Sequence, residues 1–276
     1  IHISEVDYVV EGEHAPLPQF PITKPTPEDE RIAELIVERI PSGAAIQLGI
    51  GGMPNVVGSL LAQSDLKDLG MHTELCGDAY YELFKAGKLN NSRKQVHPNK
   101  SVTGILFGSQ DLYDWVDQNP SVITAPLEYV NNPNLIGQND NMVSINNCIS
   151  MDLYGQVCAE SAGLRHISGT GGQLDYLIGA SISKGGKAFI CMTSTFMDKN
   201  GVRRSRIVPH FQGDIVTDPR SLAYFLVTEF GIVNLAGRTT WERAEMLISI
   251  AHPDFREELI AAAQAQNTMT AVVENA

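Results

Sequence analysis

The sequence lacks the cysteine and histidine spacings that mark common metal and redox sites. No C-x-x-C pair occurs, and the seven histidines show no H-x-x-x-H spacing. The four cysteines are far apart in the chain: Cys76, Cys148, Cys158 and Cys191. We therefore expect neither a metal site nor a disulfide scaffold. A reducing cytoplasm is the expected location.

Long apolar runs and excess positive charge are also missing. No run approaches the roughly 20 apolar residues of a transmembrane helix, and no signal peptide with an apolar core is visible. The formal net charge of −12 argues against nucleic acid as a partner. A local basic pocket on an acidic surface could still hold a phosphorylated ligand. We expect no membrane and no nucleic-acid partner.

Common nucleotide and hydrolase fingerprints are missing as well. The glycine-rich stretches at residues 49–52 and 168–172 match neither G-x-G-x-x-G nor the G-K-[ST] ending of a P-loop. No G-x-S-x-G elbow occurs. The sequence therefore does not favour a Rossmann oxidoreductase. Adding a nicotinamide cofactor would be a simple test of that alternative.

The first 27 residues differ in character from the rest. Residues 11–27 hold five prolines, which prevent a regular hydrogen-bonded ladder and favour an extended arm. We predict a linker at residues 1–27 and a single catalytic domain at residues 28–276. The arm is interpreted as the connection to a further domain that precedes it.

From residue 28 onward, predicted helices alternate with predicted strands. Buried strands are predicted at residues 44–48 and 71–76, and each is followed by a helix. The stretch PRSLAYFLVTE, residues 219–229, is predicted as a helix, and two helices are predicted at the C-terminal end. This alternation is typical of a layered α/β domain with a largely parallel sheet.

Two glycine loops and one glutamate stand out as candidate functional groups. Each loop precedes a predicted helix, where unpaired backbone N–H groups can face an anion. Glu74 follows the first loop by one helix and one strand, so we expect it near the same sheet edge. Taken alone, each loop is also consistent with a simple tight connection, and Glu74 with a surface or ion-paired carboxylate.

Several stretches, in order, resemble the acetyl-CoA hydrolase/transferase family. They are QLGIGGMPN, HTELCGD, GSQDLYDW, YVNNPNLIGQNDNMVSINNC, SGTGGQLDYLIGASISKGGK, RIVPHFQGDIVT, VTEFGI and IAHPDFREEL. The nearest resemblance is to 4-hydroxybutyrate and butyrate:acetate CoA-transferases. It implies a three-layer α/β/α CoA-transferase-like domain with a largely parallel sheet. Because family members carry a further α/β domain ahead of this one, the chain resembles their C-terminal half.

The resemblance implies a CoA-transferase that uses a glutamate as nucleophile. Glu74 matches the family position, and Glu128, which also follows a strand, is the rival. The glutamate would carry CoA as a thioester between a short-chain acyl-CoA and an acceptor such as acetate, butyrate or 4-hydroxybutyrate. Oxyanion donors are implied in the two loops, whose candidate residues are Ile50, Gly51, Gly52, Gly169, Gly171 and Gly172.

Weaker candidates concern CoA phosphates and the polar lining of the cleft. Lys184 and Lys187 are candidates for phosphate binding. The RRSR stretch beside Asn200 and Gly201 is a further candidate, and its alternative is a solvated hairpin tip. Three polar residues in family-like segments are expected to line the cleft: Gln110, Asn146 and Glu229.

Two other functions are consistent with the same sequence features. A hydrolase would use the same glutamate but resolve the thioester with water, and a noncatalytic module would bind CoA without turnover. In each case CoA or acyl-CoA is a substrate or ligand and no permanently bound cofactor is expected. The expected protein partners are the N-terminal half and further copies of the chain, because metabolic enzymes commonly form homo-oligomers.

Overall fold

The computed structural model describes residues 3–13, 15–19 and 24–266. The helices are α1 (Pro27–Val37), α2 (Gly52–Gln63), α3 (Asp78–Lys85), α4 (Gln110–Val116), α5 (Leu127–Val130), α6 (Pro133–Ile136), α7 (Gln173–Ile182), α8 (Thr240–Ser249) and α9 (Pro253–Ala265). The strands are β1 (Ala45–Leu48), β2 (Gly70–Cys76), β3 (Ser101–Leu106), β4 (Val122–Thr124), β5 (Met142–Asn147), β6 (Ser150–Asp152), β7 (Val157–Cys158), β8 (Ser161–Ala162), β9 (Arg165–His166), β10 (Lys187–Cys191), β11 (Thr195–Met197), β12 (Arg203–Ser205), β13 (Ile207–Val208), β14 (Phe225–Thr228) and β15 (Gly231–Asn234).

An eight-stranded sheet forms the middle layer. Its strand order is β15-β14-β10-β5-β1-β2-β3-β4. Every neighbouring pair is parallel except β14 and β15, which pair antiparallel. The predicted α/β class with a largely parallel sheet is confirmed.

Two separate apolar cores cover the two faces of this sheet. One core holds buried side chains of α1, α2 and α3, and the other holds those of α7, α8 and α9. Central strands contribute to both cores, since successive side chains of a strand point to opposite faces: Ala45 of β1 belongs to one core and Ile46 to the other. The molecule therefore has three layers, as the family resemblance implies.

The N-terminal arm precedes this layered domain. Its described residues are exposed up to Pro25, and α1 begins at Pro27, where Thr26 and Asp29 form a reciprocal capping box. Tyr113 of α4 donates a hydrogen bond to the carbonyl of Pro18 at 2.6 Å, which ties the arm to the domain. Residues 1, 2, 14 and 20–23 of the predicted linker lie outside the described residues.

The helix predicted at residues 219–229 is wrong. The segment is an irregular turn followed by β14, which lies between β10 and β15. Leu226 and Val227 fall in opposite cores, so the strand is apolar on both faces. A short continuous apolar run of this kind has the same appearance in sequence as a buried helix segment.

The chain changes direction across the sheet beside β1. From β1 it proceeds through β2 and β3 to one edge, and then returns to β5 on the other side of β1. The loops that follow β1 and β5 therefore separate at the carboxyl end of the sheet and leave a crevice. Of the described helices, none is long and apolar enough to span a bilayer.

The close contact between α2 and α3 gives a test of the packing. A Cβ on Gly58 would lie 2.4 Å from the Cβ of Ala79, so Gly58→Ala should destabilise the fold by about 1–3 kcal/mol through overpacking. Helix propensity alone predicts the opposite sign. Chemical denaturation measures the difference. Ser59→Ala, on the exposed side of α2, is the matched control and should change stability by less than about 0.5 kcal/mol.

Candidate active site

Glu74 lies in a cleft at the carboxyl end of the parallel strands. It is the fifth residue of β2 and is partly buried. The cleft measures about 370 Å³ and lies at the crevice beside β1. Its lining comes from the ends of β1 and β5 and from residues 168–173, which lead into α7.

Both hydrogen bonds to the Glu74 carboxylate are accepted by the same oxygen. Oε2 accepts from the backbone N–H of Gly172 at 2.6 Å and from Nδ2 of Asn131 at 2.9 Å. No described residue donates to Oε1, which faces Gly171: a Cβ on that glycine would lie 3.7 Å from it. The carboxylate is therefore held through one oxygen and keeps the other free.

Gly172 has to be a glycine because its neighbours approach so closely. A Cβ at this position would lie 2.3 Å from Glu74 Oε2 and 2.5 Å from Asn131 Nδ2. The residue is also the N-cap of α7, so its N–H belongs to the unpaired donors at the helix start. The helix dipole adds to the attraction for a carboxylate there.

The first glycine loop borders the cleft on its other side. Gly49 and Ile50 line the cleft with Glu74, whereas Gly51 and Gly52 line a neighbouring cavity of about 310 Å³. Gly51 has φ of +118°, a conformation that glycine adopts far more easily than other residues. The loop thus presents backbone groups to both spaces.

A buried polar cluster supports the floor of the cleft. Gln47 of β1 exchanges hydrogen bonds with Asn146 of β5 at 3.0 and 2.9 Å, and Ser144 donates to Gln47 at 2.7 Å. A Cβ on Gly49 would lie 2.6 Å from Asn146 Oδ1, so the loop packs directly on this cluster. Polar groups that are buried and paired in this way fix one arrangement of the strand ends.

A buried histidine stands behind the residue that holds Glu74. His72 is fully buried on β2, and its Nε2 donates to the carbonyl of Val130 at 2.9 Å. Tyr176 donates to the same carbonyl at 3.3 Å. Burial lowers the pKa of His72 to about 4, so the ring is neutral near pH 7. These contacts fix the backbone immediately before Asn131.

The structure brings only some of the predicted site residues together. Ile50, Asn146, Gly169, Gly171 and Gly172 line the cleft with Glu74. The others do not line it, and each has its own surroundings.

The two lysines lie at the end of the parallel strands opposite to the cleft. Lys187 is the first residue of β10 and Lys184 precedes that strand, so both are at the amino end of the parallel strands. Lys184 is exposed and Lys187 is partly buried. Neither lysine therefore lies at the end of the sheet that holds the cleft.

Two polar candidates are engaged elsewhere. Gln110 begins α4, is exposed, and donates to Asp114 at 2.7 Å. Glu229 follows β14 and accepts from the N–H and hydroxyl of Ser194 at 2.8 and 2.5 Å. Both follow strands at the carboxyl edge, as expected, but those strands lie away from the crevice beside β1.

The rival glutamate lies outside the cleft. Glu128 is on the short helix α5, is exposed, and borders a separate surface cavity together with Asp175. The nearby Asn131 points its amide at Glu74 rather than at Glu128.

The RRSR stretch forms the predicted hairpin. β11 and β12 pair antiparallel, and the turn contains Asn200 and Gly201. Arg204 forms an ion pair with Asp198, and Arg203 with Asp254.

Sequence reasoning missed three residues of this site. Asn131 donates to Glu74, Gln47 belongs to the buried polar cluster below the cleft, and Gln173 lines the cleft wall. Asn131 lies in a stretch rich in asparagine, where nothing local separates one amide from the next. Gln47 and Gln173 each lie beside a glycine loop in the sequence. This proximity is the feature that could have indicated their place in the site.

Solved structures establish the class of fold. RipA from Yersinia pestis is 41% identical with a TM-score of 0.90, and the match covers 98% of this chain and 60% of that one. The 4-hydroxybutyrate CoA-transferase of Porphyromonas gingivalis is 39% identical with a TM-score of 0.80, covering 96% and 62%. The layered sheet with its carboxyl-edge cleft is thus a CoA-transferase type of α/β fold.

The chain belongs to the acetyl-CoA hydrolase/transferase family. The sequence profile of the C-terminal domain of that family matches residues 108–263. A butyryl-CoA:acetate CoA-transferase of Anaerostipes caccae is 49% identical over 96% of this chain. The chain spans about 60% of the length of that relative.

The buried histidine generates a pH-dependent prediction. In the unfolded chain His72 would titrate near 6.5 and in the folded chain near 4, so lowering the pH protonates the unfolded state first. The folded state should lose about 2 kcal/mol from this group between pH 7 and pH 5. His72→Gln keeps a donor for Val130 but cannot titrate, so it should remove this part of the loss.

Denaturation curves of the wild type and His72→Gln at pH 7.5, 6 and 5 measure this difference. The gap between their free energies of unfolding should shift by about 2 kcal/mol in favour of the variant as the pH falls. A gap that stays constant across the three pH values would contradict the assignment.

Proposed function

We propose that the chain is the catalytic C-terminal part, residues 28–276, of an acyl-CoA:carboxylate CoA-transferase in which Glu74 is the nucleophile. The observation that carries this proposal is the asymmetric holding of Glu74: Oε2 accepts two hydrogen bonds while Oε1 stays open to the cleft. A carboxylate fixed in this way is oriented for attack by one oxygen. The family of the chain supports the same reaction class.

The reaction balances through two covalent species. Oε1 attacks the thioester carbonyl of acyl-CoA, the C–S bond breaks, and an acyl-glutamyl anhydride and CoA thiolate result. The thiolate then attacks the glutamyl carbonyl, which releases the carboxylic acid as its anion and leaves a glutamyl-CoA thioester. An acceptor carboxylate reverses these steps and leaves as its CoA thioester, so the thioester bond is conserved.

Two groups of donors serve the two oxyanions of this sequence. When the thiolate attacks the glutamyl carbonyl, negative charge develops on Oε2, which already faces the Gly172 N–H and the Asn131 amide. Donors that are in place before the charge forms stabilise it most effectively. For the oxyanion of the substrate thioester we assign the backbone N–H group of Ile50, which lines the cleft, with Gly171 on the other wall.

The names of the relatives support an assignment of the substrates. Relatives are named for butyryl-CoA with acetate and for 4-hydroxybutyrate, so we assign short-chain acyl-CoA thioesters and short-chain carboxylates to this chain. The chain spans about 60% of the length of the butyryl-CoA:acetate relative, and an N-terminal half is assigned as its partner in the whole enzyme. A cytoplasmic homo-oligomer is the expected form of the whole enzyme.

Replacing Gly172 tests the geometry at Glu74. The added methyl group of Gly172→Ala would overlap Oε2, displace the carboxylate and misplace one donor. We expect kcat to fall on the order of 10²-fold to 10³-fold, as for the loss of one oxyanion donor. Ser181→Ala, at an exposed position of the same helix α7 away from the cleft, is the matched control. Equal activity of the two variants would contradict the assignment.

Covalent trapping tests the nucleophile directly. The full-length protein is incubated with butyryl-CoA, reduced with borohydride, and digested for mass spectrometry. A reduced glutamyl thioester at Glu74, missing in Glu74→Gln and retained in Glu128→Gln, is the expected result. Adduct at Glu128 instead would transfer the role to that residue.

A paired assay separates transfer from hydrolysis. Release of CoA from butyryl-CoA is followed with and without acetate, together with formation of acetyl-CoA. Transfer requires acetyl-CoA to form in step with loss of butyryl-CoA, whereas acetate-independent release of CoA at the same rate would favour the hydrolase.

A further inference from the structure

Gln173, the first residue of α7, lies on the cleft wall and is held by a buried carboxyl group. Its Nε2 donates to Oδ2 of Asp218 at 2.6 Å. Asp218 is fully buried, whereas Gln173 is only partly buried and lines the same cleft as Glu74. Gln173 directly follows Gly172, so its position is tied to the donor that holds Glu74.

This contact orients the Gln173 amide. One N–H of Nε2 is donated to the buried Asp218, so the nitrogen side of the amide is turned towards that carboxyl group and Oε1 lies on the other side of the amide plane. Oε1 accepts no hydrogen bond from any described residue, and it is not among their fully enclosed polar atoms. Gln173 therefore carries an acceptor without a partner among the described residues, oriented by Asp218, beside the cleft that this residue lines.

The surroundings of Asp218 prevent it from moving away. Its backbone N–H and carbonyl both pair with Val157. Its second oxygen and Oε1 of Glu160 are enclosed without a partner among the described residues. Burial first, and then the nearby charge of Glu160, raise the pKa of Asp218 to about 6. The Asp218 carboxyl group lies close to the acid Glu160. No described cation lies beside it that could replace Gln173 as its partner.

Resting on the proposed CoA-transferase function, we propose that Gln173 Oε1 accepts a hydrogen bond from an amide N–H of the pantetheine arm of acyl-CoA, and that Asp218 is the positioning residue that orients this acceptor. Acetate and butyrate bring only oxygen lone pairs as hydrogen-bonding groups, which an amide oxygen repels. A phosphate is repelled both by Oε1 and by the acids behind it. Of the groups on the two substrates, the pantetheine amides are N–H donors near the thioester that this wall can bind.

Variation of the two substrates tests the assignment of Gln173. Gln173→Leu should raise KM for acyl-CoA about five- to tenfold, as expected for one lost hydrogen bond, and leave KM for acetate within twofold. The same shift should appear with acetyl-CoA and butyryl-CoA, since both carry the pantetheine arm. An effect on KM for acetate with KM for acyl-CoA unchanged would overturn the proposal.

The role of Asp218 is tested by restoring the contact with a neutral group. In Asp218→Asn the amide oxygen still accepts from Gln173 and the new N–H₂ group can donate to Glu160, so KM for acyl-CoA should stay within twofold. Asp218→Leu should raise KM for acyl-CoA as much as Gln173→Leu does. Combining the two substitutions should raise this KM no further. Additive effects would overturn the positioning role.

A second pair of variants avoids an apolar side chain at the buried position. At alkaline pH, where both carboxyl groups are ionised, Gln173→Glu cannot donate to Asp218 and should raise KM for acyl-CoA. Combining it with Asp218→Asn supplies an amide donor at position 218 and reverses the direction of the hydrogen bond. The introduced glutamate would then again hold one oxygen toward the cleft, and KM should return to within about threefold of the wild type. Failure of this combination to recover would overturn the proposal.

Calorimetric titration with CoA alone separates this inference from the proposed function. Gln173→Leu should bind CoA five- to tenfold more weakly than the wild type, whether or not the protein performs transfer. Such a loss in a protein that forms no adduct at Glu74 would support the inference and reject the reaction. Unchanged CoA affinity in an enzyme that does form the adduct would reject the inference alone.

Discussion

The hydrogen bond from Gly172 to Glu74 joins two segments that are 98 residues apart in sequence. It exists because α7 packs on β5 and β10 in a way that brings its N-terminus over the end of β2. The crevice beside β1 makes room for this approach, since the chain leaves β1 and β5 in opposite directions across the sheet. The position of the carboxylate thus depends on the order of the strands.

The approach of α7 to the end of β2 also depends on the side chains at the ends of β1 and β5. Three polar side chains there are buried and hydrogen-bonded to one another: Gln47, Ser144 and Asn146. They occupy positions where the neighbouring strand residues are apolar core residues. Leaving any one of them unpaired would cost about 1–3 kcal/mol. The cluster therefore ties β1 and β5 in one register directly below the first glycine loop.

The sequence predicts the parts of this structure that follow from local patterns. The strand before the first glycine loop, the helices that follow both loops and the position of Glu74 near a strand end all follow from periodicity and helix-start signals. β14 does not, because its apolar run is buried on both faces and has no period of two. Lys187 shows a second limit: its distance from the cleft depends on which end of β10 it occupies, and residue type carries no information on that.

Asn131 shows where sequence reasoning meets tertiary structure. Its amide reaches Glu74 only because His72 and Tyr176 hold the preceding carbonyl of Val130. His72 is two residues from Glu74 on the same face of β2, so the strand that presents the carboxylate also fixes the backbone of the residue that binds it. Movement of β2 would shift the carboxylate and its side-chain donor together and keep them in register. The backbone donor at Gly172 belongs to another element, so relative motion of α7 and β2 is the motion that would change the hydrogen bonding of Oε2.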